Sequence, residues 1–279
     1  MKTSMIILSV LFLSLARADE GEVARRLAWV EGDIQSSYQS DRKYARERLK
    51  SFEGREPSPE DLDRYLEYLA LLDITDHPEA VKKMKSFIVA RPSDKRAAFL
   101  MGVHFLRRGK KDFAKYLFTQ LEADKEFPWK SFVLNNLGML ALDDKNADQA
   151  VHFFEKAAKA IPRTAAPLVN LGALYLKSQS YKDALPLFKE ARRLDPDFED
   201  AALGFGASLE GVGKYADAHE VYTEYLEAHP EAISTLYNDS IVLGNFLKQR
   251  DKAAELMLRY IQKGGKETAR AHEIIRSWR

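Results

Sequence analysis

Three asparagines, Asn136, Asn170 and Asn238, recur at intervals of 34 and then 68 residues. A carboxamide donates and accepts hydrogen bonds at once, so a regular row of them could hold the backbone of a bound segment whatever its side chains. The same row could instead satisfy polar groups of neighbouring elements. Bond-making chemistry has less to work with. The chain has no cysteine, so thiolate zinc sites and thiol nucleophiles are excluded. It lacks a phosphate-binding glycine loop, a Gly-x-Ser-x-Gly elbow and a His-Glu-x-x-His pair. Gly204-Phe205-Gly206 and Gly211-Val212-Gly213 fall where helices cross or turn, which reads as packing. His77 with Asp73 and Asp76 could suggest a metal, but helix-end capping accounts for all three; no metal and no cofactor is expected. Asp143, Asp144 and Asp148 surround a turn and read as solvated. Arg107, Arg108, Lys110 and Lys111 form a short basic turn about Gly109, either solvated or meeting an acidic partner.

The elements that would place the asparagines repeat with the same period. Ala150, Ala184 and Ala218 are each followed four residues later by an aromatic residue, Phe154, Phe188 and Tyr222, and then by Pro162, Pro196 and Pro230. Leu137-Gly138, Leu171-Gly172 and Phe205-Gly206 precede them at the same spacing. A fixed period in this range marks a solenoid of helical hairpins. Glycine or alanine belongs where two helices cross closely, the aromatic ring fills the space beside it, and proline stops the second helix. Neither face of such a hairpin can be buried alone, so neighbours are required.

This pattern resembles the tetratricopeptide repeat, and Leu168, Leu171, Gly172, Tyr175, Ala184, Phe188, Ala191 and Pro196 match its signature throughout. The third repeat departs with Ala202 and Tyr225. Fainter copies flank the three: Met101-Gly102, Phe105, Ala114 and Phe118 upstream, with two extra residues near Phe127-Pro128-Trp129, and a further unit from Ser58 whose second helix opens at Asp76-His77-Pro78-Glu79. Downstream, Leu236–Leu247 and Asp251–Gln262 make one more hairpin, with Asp239-Ser240 in place of the glycine step and Ala253 one residue out of phase. The resemblance implies an all-α, right-handed superhelical solenoid of about six helix-turn-helix repeats over 58–264. A capping helix over 265–279 follows, with Ala269, His272 or Glu273, Ile274 and Ile275 as its apolar stripe. Residues 19–57 lie outside the period and read as amphipathic helix, through Val23, Leu27, Val30, Ile34 and Tyr38. That stretch would pack on the first repeat, enter the groove or pair two copies of the chain as a homo-oligomer.

In this family the first helix of each repeat lines a concave surface that holds a partner peptide. Carried over, that face comprises Phe99, Val103 and Leu106; Phe132, Asn135, Asn136 and Met139; Val169, Asn170, Ala173 and Lys177; Leu203, Ala207 and Glu210; and Tyr237, Asn238 and Ile241. It is mostly apolar. Family members that clamp an acidic C-terminus carry cations beside such asparagines. Here Asn135 and Val169 stand next to Asn136 and Asn170, with Met139 and Ala173 one turn on, so an apolar or helical protein segment is the expected partner. The other reading is that tight curvature buries the row against adjacent helices.

Lys2, the apolar run Met5–Leu15 and Ala16-Arg17-Ala18 read as a signal peptide over 1–18, too short for a permanent span. No cysteine follows, so lipidation is not expected and a periplasmic or secreted location is. The 279 residues are 46% hydrophobic and 30% charged with a net charge of +1, which supports a packed fold and no nucleic-acid binding. The expected function is a non-enzymatic scaffold for a pilus, secretion, motility or cell-wall complex. The alternative is an accessory subunit that localises or activates a cell-wall or polysaccharide enzyme.

Overall fold

A computed structural model describes residues 78–160 and 163–278. The expected leader, the 19–57 extension and the helix opening at Ser58 lie outside these residues, as do Asp73, Asp76 and His77. The chain divides into two compact units, the described part of the first ending at Ala160 and that of the second starting at Arg163.

The first unit comprises α1 (Pro78–Ala90), α2 (Lys95–Arg107), α3 (Lys111–Ala123), α4 (Lys130–Asp143) and α5 (Ala147–Lys159). Its hairpins are α2/α3 and α4/α5. Within the described residues α1 runs from Pro78, and the Asp76-His77 part of its expected capping box lies outside them. Ala114 and Ala150 are fully buried at the crossings, and the Phe118 and Phe154 rings lie on Gly102 and Gly138. A Cβ on either glycine would come within 2.6 Å and 2.5 Å of those rings. The two inserted residues serve this unit's core. Phe127 and Trp129 join Phe99, Phe118 and Phe132 in one aromatic cluster, with Phe99 and Trp129 edge to face at 5.4 Å. Lys130 Nζ donates to the carbonyls of Leu121 and Glu122, capping the end of α3.

The second unit comprises α6 (Ala165–Lys177), α7 (Tyr181–Leu194), α8 (Glu199–Gly211), α9 (Tyr215–Ala228), α10 (Ile233–Ile241), a π-helical turn (Val242–Phe246), α11 (Arg250–Gln262) and α12 (Thr268–Trp278). Its hairpins are α6/α7, α8/α9 and α10/α11. Phe188, with no exposed surface, is held between Gly172 and Gly204, where added Cβ atoms would stand 2.7 Å and 2.1 Å from its ring. Gly206 takes Tyr222 and Gly211 takes Tyr181 in the same way, so the Gly204 and Gly211 pairs are packing positions. Tyr225, where the two preceding repeats have alanine, reaches the Asp197 carbonyl at 3.0 Å and stacks on His229.

The turn inside each hairpin is built alike. Gly109, Lys145, Gln179, Gly213 and Lys248 all have positive φ, the left-handed residue that ends a helix. The next N–H returns to a carbonyl five residues back in four of them: Lys110 to Phe105, Asn146 to Ala141, Ser180 to Tyr175 and Lys214 to Leu209. In the last hairpin Gln249 N–H reaches Leu243, six residues back. That extra residue is absorbed by the π turn, since one insertion in an α-helix forces one wide loop of backbone. It also explains why Ala253 stands one residue out of phase.

The capping helix corrects one expectation. Its buried stripe is Ala271, Ile275 and Trp278; Ala269, His272 and Glu273 are exposed and Ile274 is half-buried. The register is set by the terminal tryptophan. Its ring lies on Gly244 and its Nε1–H donates to Asn245 Oδ1 at 2.8 Å, both residues being supplied by the π turn.

Candidate partner-binding face

In the first unit α2 contributes Phe99, Val103 and Leu106, all buried in the aromatic core. One hairpin on, α4 carries Met139, 7% exposed, and the half-buried Phe132, Asn135 and Asn136. In the second unit Val169, Ala173, Leu203, Ala207, Tyr237 and Ile241 are buried, Val169 completely. Lys177 is exposed and Asn238 half-buried. On these helices the residues of the face that keep exposed surface are Phe132, Asn135 and Asn136 in the first unit and, separately, Lys177 and Asn238 in the second. The apolar side chains behind them act through packing.

The three asparagines, identical in spacing, differ in environment. Asn136 turns its Nδ2–H back to the Phe132 carbonyl at 2.8 Å. Asn170 is buried and engaged within the protein. Asn238 is half-buried and has no side-chain hydrogen bond among the described residues. The row is thus no uniform ladder, because the same residue can cap its own helix, join the core or face outward according to its neighbours.

Polar side chains within the second unit were less visible in the sequence. Glu210, 9% exposed, accepts the Tyr222 hydroxyl at 2.7 Å. Glu199 Oε1 accepts from the Thr235 hydroxyl and N–H, tying the start of α10 to the start of α8. Asp239, 1% exposed, lies 2.6 Å from His219 Nδ1. Asp239 occupies the position held by Leu137, Leu171 and Phe205, and His219 that of Val151 and Leu185, so a polar pair replaces two apolar positions. That mismatch was the signal available for finding it. The hydrogen bond to Asp239 raises the His219 pKa, against burial and the nearby Lys252 charge. Burial raises the Asp239 pKa, against the bond from His219.

Lys111 pairs with Asp143 at 2.9 Å and Lys115 with Asp144 at 2.8 Å, while Arg108 Nη1 meets His104 Nδ1. Among the described residues no three His, Cys, Asp or Glu side chains cluster as a metal site, and no helix is long and apolar enough to cross a membrane.

Comparison with known proteins agrees with the hairpin geometry. Tetratricopeptide repeat models match residues 129–197 and 175–238. Among solved structures, Pseudomonas aeruginosa pilF is similar with a TM-score of 0.59 at 17% identity, covering 78% of this chain and 99% of that one. YrrB, described as a TPR protein with an unusual peptide-binding site, gives 0.53 at 20% identity, covering 68% and 96%. MamA from Desulfovibrio magneticus RS-1 gives 0.51 at 20%, covering 62% and 97%. At these identities the likeness is one of fold. No curated protein is matched by sequence. The glycine–aromatic seams, the repeated turns and both repeat matches lead to one assignment: the described residues are all-α, and residues 129–238 belong to the tetratricopeptide repeat family.

Proposed function

We propose that this protein is a non-enzymatic scaffold of the cell envelope that holds a segment of a protein partner on the first helices of its hairpins. The observation that carries the reading is the set of side chains left accessible on those helices: Phe132, Asn135 and Asn136 in one unit, Lys177 and Asn238 in the other. An aromatic ring flanked by carboxamides suits an apolar or helical segment, with backbone groups read by amides and one apolar side chain seated on the ring. A tetratricopeptide fold serves protein–protein interaction, and YrrB is itself described with a peptide-binding site. The location follows from the signal-peptide reading of Lys2, Met5–Leu15 and Ala16-Arg17-Ala18. A pilus, secretion, motility or cell-wall complex is the class of assembly that such a scaffold would serve.

The test is capture of partners from a solubilised membrane fraction, comparing the wild-type chain with Phe132→Ala/Asn136→Ala and with Asn238→Asp. We expect a captured protein to be lost from each variant, with melting temperatures close to wild type. Capture unaltered by either variant would sink the proposal. A captured partner that is a cell-wall or polysaccharide enzyme would favour the accessory-subunit alternative.

A further inference from the structure

The outer face of α3 differs from its counterparts in every other described hairpin. Counting from the buried alanine of each second helix, the preceding residue is Phe113 in α3 but Gln149, Asp183, Asp217 and Lys252 in α5, α7, α9 and α11. Two residues after that alanine stands Tyr116 in α3, against His152, Pro186, Glu220 and Glu255. All ten positions are exposed. Phe113 is 63% and Tyr116 64% exposed, the largest exposed aromatic surfaces among the described residues. The repeat does not need these rings, since four sister helices fold with polar residues there. Phe113 is steadied from behind by Phe105, ring centres 5.6 Å apart. Two adjacent aromatic residues held outward on a rigid helix are what an interface uses as anchors.

The charges around the rings select the occupant. Lys111 and Lys115 are held by Asp143 and Asp144, and Arg108 is turned to His104. Two charges beside Phe113, Lys110 and Asp112, are exposed and have no ion-pair partner among the described residues. They are opposite in sign. Such a rim gives little attraction for a polyanionic surface, yet it is complementary to its own image under a two-fold axis. There Lys110 of one copy can meet Asp112 of the other around a shared aromatic centre. We propose that the Phe113–Tyr116 face of α3 is a self-association surface that pairs two copies of this chain through a two-fold contact.

The absence of cysteine makes the proposal directly testable. Tyr116→Cys in the full chain introduces a single thiol, which two-fold pairing would bring close to its mate. Mild oxidation should give a covalent dimer, whereas Glu220→Cys, at the same position of α9, should remain monomeric. In sedimentation velocity the wild type should show a concentration-dependent dimer. Phe113→Asp/Tyr116→Glu, which installs the residues α9 carries, should weaken the dimer at least about tenfold with unchanged melting. The proposal is overturned if the wild type sediments as a monomer throughout, or if Tyr116→Cys cross-links no faster than Glu220→Cys. A dimer that survives the double substitution also overturns it, and would direct attention to residues 19–57. Rings protected in a monomer, read as Phe113→Asp/Tyr116→Glu exposing the first 77 residues to protease, would make that segment the occupant and likewise overturn it.

Discussion

The middle hairpin, α6/α7, and the last, α10/α11, solve the same crossing problem in different ways. In α6/α7 the crossing residue is Gly172 and the filler is Phe188, a ring with no exposed surface held from its other side by Gly204. In α10/α11 the corresponding residues are Ser240 and Met257, both fully buried. Ser240 Oγ donates to the Tyr237 carbonyl at 2.7 Å and lies 3.7 Å from the Met257 sulfur. A flat rigid ring demands a missing Cβ; a flexible thioether does not. Strict periodicity therefore records one kind of packing, and its loss records a second kind rather than a weaker copy of the first.

Exchanging the two crossing residues should produce the largest effect. Gly172→Ser would drive a Cβ to within 2.7 Å of a ring that Gly204 prevents from retreating. We expect a loss of about 3 kcal/mol, the upper part of the range for overpacking a core. Ser240→Gly in the last hairpin should cost only about 1 kcal/mol, from one hydrogen bond and added backbone freedom. Urea unfolding of the two variants measures both. Equal losses would mean that the two crossings are energetically the same and that the contrast between them is only one of residue type.

The polar pair that ties the last hairpin to the one before it comes next. His219→Leu would leave Asp239, 1% exposed, without its partner. We expect a loss of about 2 kcal/mol, below the range for fully buried pairs because His219 keeps a partly wet edge. His219→Leu/Asp239→Phe restores the apolar pattern of Leu185 and Phe205, and should recover most of that loss. A double variant no more stable than His219→Leu would show that the pair holds the hairpin in a way an apolar contact cannot replace.

Gly138, Ala150, Phe154 and their copies 34 and 68 residues on were legible because close helix crossings constrain residue size, and size is written directly in the sequence. Asp239 was legible as an exception, an acid in an apolar column, but its partner was not, since His219 lies on the preceding hairpin and nothing in spacing links them. The single extra residue before Ala253 was visible as a phase error. How it is absorbed was not: an insertion can lengthen a turn or widen a helix, and the choice of a π turn follows from Gly244 and Asn245 having to receive Trp278. The same tertiary demand fixed the register of α12, where local apolarity suggested a different stripe. In the candidate face, the position of Asn136, Asn170 and Asn238 on successive first helices could be read. Whether each carboxamide faced its own helix, the core or solvent depended on neighbours that spacing does not describe.

The smallest expected effect separates the same pair by pH, and its sign is opposite to ordinary acid sensitivity. His219 has a raised pKa, chiefly through its bond to Asp239. The stability it contributes is complete below the ordinary histidine range near 6.5 and is lost as pH rises through the higher folded value. Asp239 is also raised, by burial, so its contribution likewise falls as pH rises above its ordinary value. Asp94, held low by its bonds to Arg96 in the first unit, behaves in the opposite sense and loses its contribution as pH falls. The last hairpin should therefore weaken from mildly acidic to alkaline pH, while the capping of α2 by Asp94 weakens only in acid. The change is modest because neutral His219 can still donate Nδ1–H to Asp239 across the 2.6 Å contact, so only the charge–charge part is lost. Amide exchange of α10 and α11 between pH 6 and 9, corrected for the intrinsic rate, measures it locally. Faster opening at high pH that disappears in His219→Leu/Asp239→Phe assigns the slope to this pair; a slope that persists in the double variant assigns it elsewhere.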